Sequence, residues 1–161
     1  MTIGFILNGE DVVIRVDAER RLIDILRGTF QLMGAKNGCY SGNCGLCSVL
    51  LNDEVVNSCL IPAFKISGTE IVTIEGFSQT DEYQDIIRGF SEAGVDNCGY
   101  CDAGKILTVE ALLSKKPHPD RRDIFQAFQG VKCRCTEPES LINAVLIIAD
   151  LRQRRLYGRR P

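Results

Sequence analysis

Apolar and polar positions alternate at the start of the chain, with Ile3, Phe5 and Leu7 on one side and smaller or outward-facing residues between them. That is the two-residue period of a half-buried strand. Asn8-Gly9 follows as a strong two-residue hairpin signal, and β-branched residues over 11–16 supply the return strand. The period then changes. Leu22, Ile25, Leu26 and Phe30 share one face of a helix expected over 21–32. A second hairpin is expected from 48–51 and 54–57, turning at Asn52-Asp53, with a further strand over 70–75. Strand, strand, helix and more strands make an α+β pattern. Turn formers and polar residues from Gly76 to Asp81 mark its end.

Beyond that point the pattern is helical. Tyr83, Ile86, Ile87 and Phe90 mark one helix ending at Gly94. Asp102 is placed to cap a second running to Ser114, and Asp120 a third, with Ile124, Phe125 and Phe128 inward and Gly130 closing it. A fourth is expected over 138–155. Four helices and two cysteine-bearing loops suggest a small bundle. The expected domains are 1–78 and 79–161.

Composition excludes several classes. Hydrophobic content of 45% and charged content of 25% suit a soluble globular protein. A net charge of −2 leaves no electrostatic footprint for nucleic acid. The longest strongly apolar run, 144–149, is too short to cross a bilayer. Residues 1–10 lack the basic segment and long apolar core of a signal peptide. The expected location is the cytoplasm, where thiols stay reduced, with neither membrane nor nucleic acid as partner.

Eight cysteines change the picture. Cys39, Cys44 and Cys47 read C-x4-C-x2-C, and Cys59 follows after a gap of eleven, the plant-type spacing for a [2Fe-2S] cluster. Gly38, Gly42 and Gly45 interleave with these thiols. Glycine allows the positive φ angles and close approach needed to point backbone N–H groups at an anionic cluster. A zinc knuckle fits less well, since structural zinc usually shows paired C-x2–4-C units. Cys98-x2-Cys101 alone is compatible with zinc, a redox dithiol or half a cluster site. Cys133-x-Cys135 completes a second set of four, for which four-cysteine zinc stays open on ligand chemistry alone. A disulfide framework needs a secretory context, and would have to staple Cys133 and Cys135 to two different places.

The whole spacing, C-x4-C-x2-C-x11-C followed by C-x2-C-x31-C-x-C, resembles that of the small iron–sulfur subunit of the molybdenum hydroxylases. These are the xanthine dehydrogenase, aldehyde oxidoreductase and carbon monoxide dehydrogenase family. The resemblance runs from the strand at Ile3 to the helix after Cys135. It implies a β-grasp, plant ferredoxin-like domain followed by a four-helix [2Fe-2S] domain. It also implies an outer cluster on Cys39, Cys44, Cys47 and Cys59, nearer an FAD-binding medium subunit. The inner cluster would sit on Cys98, Cys101, Cys133 and Cys135, nearer a molybdopterin-binding large subunit. In the family, the cysteine matching Cys135 also hydrogen-bonds the pterin. Electrons would pass from molybdenum to the inner cluster, the outer cluster and then FAD. The chain would be a non-catalytic part of a hetero-oligomeric oxidoreductase, too short to hold the other cofactors. The alternatives are a free-standing two-cluster ferredoxin, expected to be a stable monomer, and a colourless zinc-stabilised interaction module.

The sequence departs from the family pattern around the inner pair. The family's Q-C-G-F-C-T-P-G-M is here Asn97-Cys98-Gly99-Tyr100-Cys101-Asp102-Ala103-Gly104-Lys105. The resemblance puts the Gln position near the pterin, so Asn97 is a candidate cofactor contact, shorter by one methylene. Asp102 adds a negative charge and Lys105 a positive one that offsets it. L-C-R-C-T-G-Y is here Lys132-Cys133-Arg134-Cys135-Thr136-Glu137-Pro138. These changes describe a divergent member with an altered face toward the molybdenum subunit. Arg134 is expected to soften the inner cluster's negative charge. Bland readings cover the rest: His118 in an exposed loop, Phe125 and Phe128 in the core. Arg152-Gln153-Arg154-Arg155 with Arg159-Arg160 reads as a solvated helix end or subunit contact.

Overall fold

The computed structural model describes residues 1–95 and 97–158. Strands β1 (Thr2–Leu7) and β2 (Glu10–Arg15) form a hairpin in which Ile3 faces Ile14 and Phe5 faces Val12. Asn8 and Gly9 take φ of 52° and 85° at its turn, which matches the right-handed twist of the strands. Helix α1 (Leu22–Gly28) completely buries Leu22, Ile23, Ile25 and Leu26. Each such side chain contributes roughly 1.5–3 kcal/mol. The helix stops short of residue 32. Gln31 turns left-handed at φ 57°, and the Leu32 N–H returns to the Leu26 carbonyl at 2.9 Å.

The second hairpin is β3 (Ser48–Leu51) and β4 (Glu54–Asn57), with Asn52 and Asp53 both at positive φ. Strand β5 (Glu70–Val72) is shorter than the 70–75 expected. Asn8 intercepts the next residue: its Oδ1 accepts the Thr73 N–H at 2.8 Å, and its Nδ2 donates to Thr73 Oγ1 at 3.1 Å. Helix α2 (Ile74–Phe77) starts there instead. The sheet order is β2-β1-β5-β3-β4, with β1 and β5 parallel and the other pairs antiparallel. This is the β-grasp arrangement.

Strand β3 joins the two halves because it is buried on both faces. Val49 packs with Ile3, Phe5 and Leu22 under α1, while Leu50 enters the core of the helical half. The alternation that would leave one face wet in a simple antiparallel sheet here feeds two cores. Phe77 of α2 joins the helical core too, edge-on to Tyr83 at 6.3 Å between ring centroids.

Four longer helices follow: α3 (Asp81–Glu92), α4 (Asp102–Lys115), α5 (Arg121–Ala127) and α6 (Pro138–Tyr157). Thr80 caps α3, its hydroxyl accepting the Tyr83 N–H at 3.2 Å. Asp120 and Asp123 form a reciprocal capping box on α5. Asp102 is not the cap of α4. Cys101 holds that position, and the Asp102 carboxylate accepts the Gly99 N–H at 2.8 Å. Ile124 is fully buried, yet Phe125, one position and about 100° round the helix, is 52% exposed.

The basic end of α6 is tied inward. Arg152 is buried and donates to Glu110 at 2.6 Å, with the Asp85 carboxylate 4.0 Å away. Arg155 donates to both Asp85 and Glu82 at 2.8 Å. Those pairs clamp α6 to α3 and α4, so this segment is structural and not a solvated tail. Arg159 and Arg160 lie outside the described residues. Among the described residues, no helix is long and apolar enough to cross a membrane.

Removing one member of a buried ion pair strands the other's charge. Arg152→Met is therefore expected to destabilise the chain by about 3–5 kcal/mol in urea unfolding. Arg154→Met, which breaks the exposed pair with Asp150, is expected to change stability by under about 1 kcal/mol.

Candidate metal centres

The loop after α1 brings the first four thiols together as two pairs. The Cys39 N–H lies 3.4 Å from Cys44 Sγ, and those two side chains touch; Cys47 and Cys59 form the second pair. Backbone N–H groups of Ser41 and Asn43 point at Cys39 Sγ from 3.4 and 3.2 Å. The Ser41 hydroxyl and then these amides pull the Cys39 thiol down to about 6. Burial pushes Cys47 up to about 11, beneath the fully buried Ile23 of α1. Gly42 and Gly45 both sit at φ 72°, as expected. Gly38 does not need left-handed backbone. Its constraint is proximity, since a Cβ there would lie 2.6 Å from Cys44 Sγ.

Residues on α1 and beside the later cysteines brace this loop. Arg21 donates to the Tyr40 carbonyl at 2.8 Å and lies over the Tyr40 ring, whose hydroxyl donates to Asp24 at 2.5 Å. Asn57 donates to the Gly42 carbonyl at 3.0 Å. Ser58 and Ser48 hydroxyls hold the carbonyls of Cys47 and Gly45, each at 2.7 Å. Nothing in the local spacing marked Arg21, Asp24 or Asn57. The chain direction after α1 and β4 is what carries them there.

The second four thiols pair likewise. Cys98 and Cys135 Sγ atoms are 3.8 Å apart, and Cys101 touches Cys133. Cys101 stands at the N-terminus of α4, where unpaired N–H groups favour negative charge. Burial nevertheless pushes its thiol up to about 12. Burial also raises Cys133, but the backbone N–H groups of Thr136 and Cys135 outweigh it and leave that thiol lowered. Contact with the Cys98 thiol raises Cys135. Cys98 and Cys135 are exposed, beside Tyr100 at 60% exposure.

A backbone seam joins the two loops. The Lys132 N–H, next to Cys133, donates to the Cys44 carbonyl at 3.0 Å. Around it a Cβ on Gly45 would meet the Gly130 carbonyl oxygen at 2.4 Å, and one on Gly104 would meet the Gly45 carbonyl oxygen at 2.5 Å.

The residues that depart from the family pattern also meet. Lys105, almost fully buried, donates to Asn97 Oδ1 at 3.0 Å and pairs with Asp102 Oδ1 at 3.3 Å. Asn97 thus turns its carbonyl oxygen to Lys105. Arg134 is exposed, so the buried cation near the inner thiols is Lys105.

All eight cysteines are free. Among the described residues, no three metal-ligating side chains converge on one point. The thiols meet in twos, and two thiolates per iron with inward N–H donors is the donor set a [2Fe-2S] cluster takes. A β-grasp unit and a helical unit, each presenting four such thiols, define a two-cluster iron–sulfur protein. Family models agree: a 2Fe-2S iron-sulfur cluster binding domain matches residues 5–70, and a [2Fe-2S] binding domain matches residues 73–146.

Individual relatives narrow the class. The nicotinate dehydrogenase small FeS subunit of Eubacterium barkeri is 40% identical over 84% of this chain and 87% of its own. A probable xanthine dehydrogenase subunit of Bacillus subtilis is 38% identical over 81% and 75%. The crystal structure of quinoline 2-oxidoreductase from Pseudomonas putida 86 superposes with TM-score 0.86 at 33% identity, covering 99% of this chain and 98% of that one. In the aldehyde oxidoreductase of Megalodesulfovibrio gigas, 35% identical, the match spans 96% of this chain but 17% of a longer polypeptide. The chain belongs to the small [2Fe-2S] subunits of the xanthine dehydrogenase-like molybdenum hydroxylases, which serve electron transfer and not substrate turnover.

The seam makes a sharp prediction. Gly45→Ala puts a Cβ into the Gly130 carbonyl and strains the backbone, so iron per chain should fall to half or less. Gly68→Ala carries the same φ of 72° with open space around it. It should lose roughly 1–2 kcal/mol of stability and keep its iron. Colorimetric iron assay and thermal melting read the pair.

Proposed function

We propose that Cys39, Cys44, Cys47 and Cys59 hold an outer [2Fe-2S] cluster and that Cys98, Cys101, Cys133 and Cys135 hold an inner one. The observation that carries this reading is the pairing of the thiols within two loops that share the Cys44–Lys132 hydrogen bond. Bound there, each cluster would supply one-electron chemistry. This chain's residues fix the thiolates, aim N–H groups at them and keep the two loops in register. The relay runs from a molybdopterin-binding large subunit, through the inner and then the outer site, to an FAD-binding medium subunit. In support, the exposed Cys98, Cys135 and Tyr100 lie at one surface, suited to covering by a partner that holds the electron source. Asn97 lies at the same surface and is the candidate contact to the partner's cofactor, with Cys135. The division of labour follows the two units, 1–78 and 79–161. The complex works in the cytoplasm.

The complex purified through this chain is expected to contain about four irons per copy and molybdenum in near-equal amount to the chain. Elemental analysis checks it. Iron without molybdenum would favour a free-standing carrier, and zinc in place of iron would end the electron-transfer reading.

A further inference from the structure

A buried cation stands beside the inner thiols without a part in the relay as described. Lys105 is 1% exposed. Its partners include Asn97 Oδ1 at 3.0 Å, Asp102 Oδ1 at 3.3 Å and the Phe90 ring, whose centroid is 5.6 Å from Nζ. An amide oxygen, a carboxylate and an aromatic face are all partners suited to an ammonium group. Lys105 also stands in the first turn of α4, four residues beyond its cap Cys101, whose carbonyl accepts the Lys105 N–H at 3.0 Å. A charge removed from water acts more strongly than an exposed one and is less screened by salt.

We propose that Lys105 is a fixed positive charge that raises the reduction potential of the inner cluster, with Asp102 as the opposing charge that limits the rise. The inference rests on the assignment of Cys98, Cys101, Cys133 and Cys135 as that cluster's ligands. Reduction brings in one electron and no proton. It adds one negative charge to a site already ringed by thiolates, so a nearby cation favours the reduced form and a nearby anion opposes it. Arg134, although between two of the thiols, is exposed and therefore screened. Lys105 acts as a tuning residue and not as a ligand or an electron carrier.

The test is a dithionite titration of the intact complex, following its two reduced-cluster EPR signals separately. The inner signal is the one whose g values a Cys135→Ser variant changes. Lys105→Met removes the charge and keeps an unbranched side chain. At the wild-type midpoint it should lower the inner reduced-to-oxidised ratio about tenfold, a fall of about 59 mV for a one-electron couple. The outer signal should stay in place, and Lys105→Arg should keep the inner midpoint near wild type. Asp102→Asn should move the inner midpoint upward. An unmoved inner midpoint in Lys105→Met, or equal shifts of both signals, would overturn the proposal. If Lys105→Met fails to assemble, the direction of Asp102→Asn decides: a fall or no change overturns it. Absence of a second reduced signal from the unsubstituted complex would remove the ligand assignment and this inference together. A second signal that ignores Lys105 removes the inference alone.

Discussion

The structure depends on a place where backbone must touch backbone. Gly45 and Gly104 come from the outer loop and the first turn of α4, and a Cβ on either would strike backbone, the Gly130 carbonyl oxygen at 2.4 Å or the Gly45 carbonyl oxygen at 2.5 Å. Within that seam the Cys44 carbonyl accepts the Lys132 N–H. A hydrogen bond at such a site does more than add about 1 kcal/mol. It sets the separation of the two thiol loops, on which any transfer between them depends. The rest of the fold keeps the seam closed: β3 feeds a core on each face, and Phe77 reaches from the first unit into the helical core.

The two thiol sets sit in different environments. The outer loop is backed by Ile23 and braced by Arg21, Tyr40 and Asp24, so its buried pair, Cys47 and Cys59, is shielded by the β-grasp unit itself. The inner set is shielded on one side by α4 and left open at Cys98 and Cys135. Cys39 is the exposed member of the outer set. The charged interior follows the same division. Arg152 and Arg155 gather the carboxylates of α3 and α4 at one end of the bundle, away from the inner thiols. At the other end, Lys105 and Asp102 form a pair of their own.

Much was legible along the chain because the relevant signals are local. Both hairpins followed from their turn residues: Asn8-Gly9 and Asn52-Asp53 take the left-handed angles that two-residue turns require. The capping of α5 by Asp120 is equally local. The errors came where another group claimed a polar partner, from far off in one case and three residues away in the other. Asn8 ended β5 from across the sheet, and Gly99 claimed the Asp102 carboxylate that would otherwise cap α4. Phe125, about 100° round a short helix from the fully buried Ile124, faced solvent at the edge of the apolar stripe.

The amino-acid order alone carried the spacing of the eight cysteines, the strand and helix succession and the left-handed glycines of the first loop. These are matters of spacing and backbone freedom within a few residues. Tertiary structure alone paired the thiols, drew Arg21, Asp24 and Asn57 to the outer loop, and buried Arg152 and Lys105. It also made Gly104 indispensable, since a residue's surroundings across 40 or more positions of chain are set by packing, and no local pattern encodes which backbone atoms will meet.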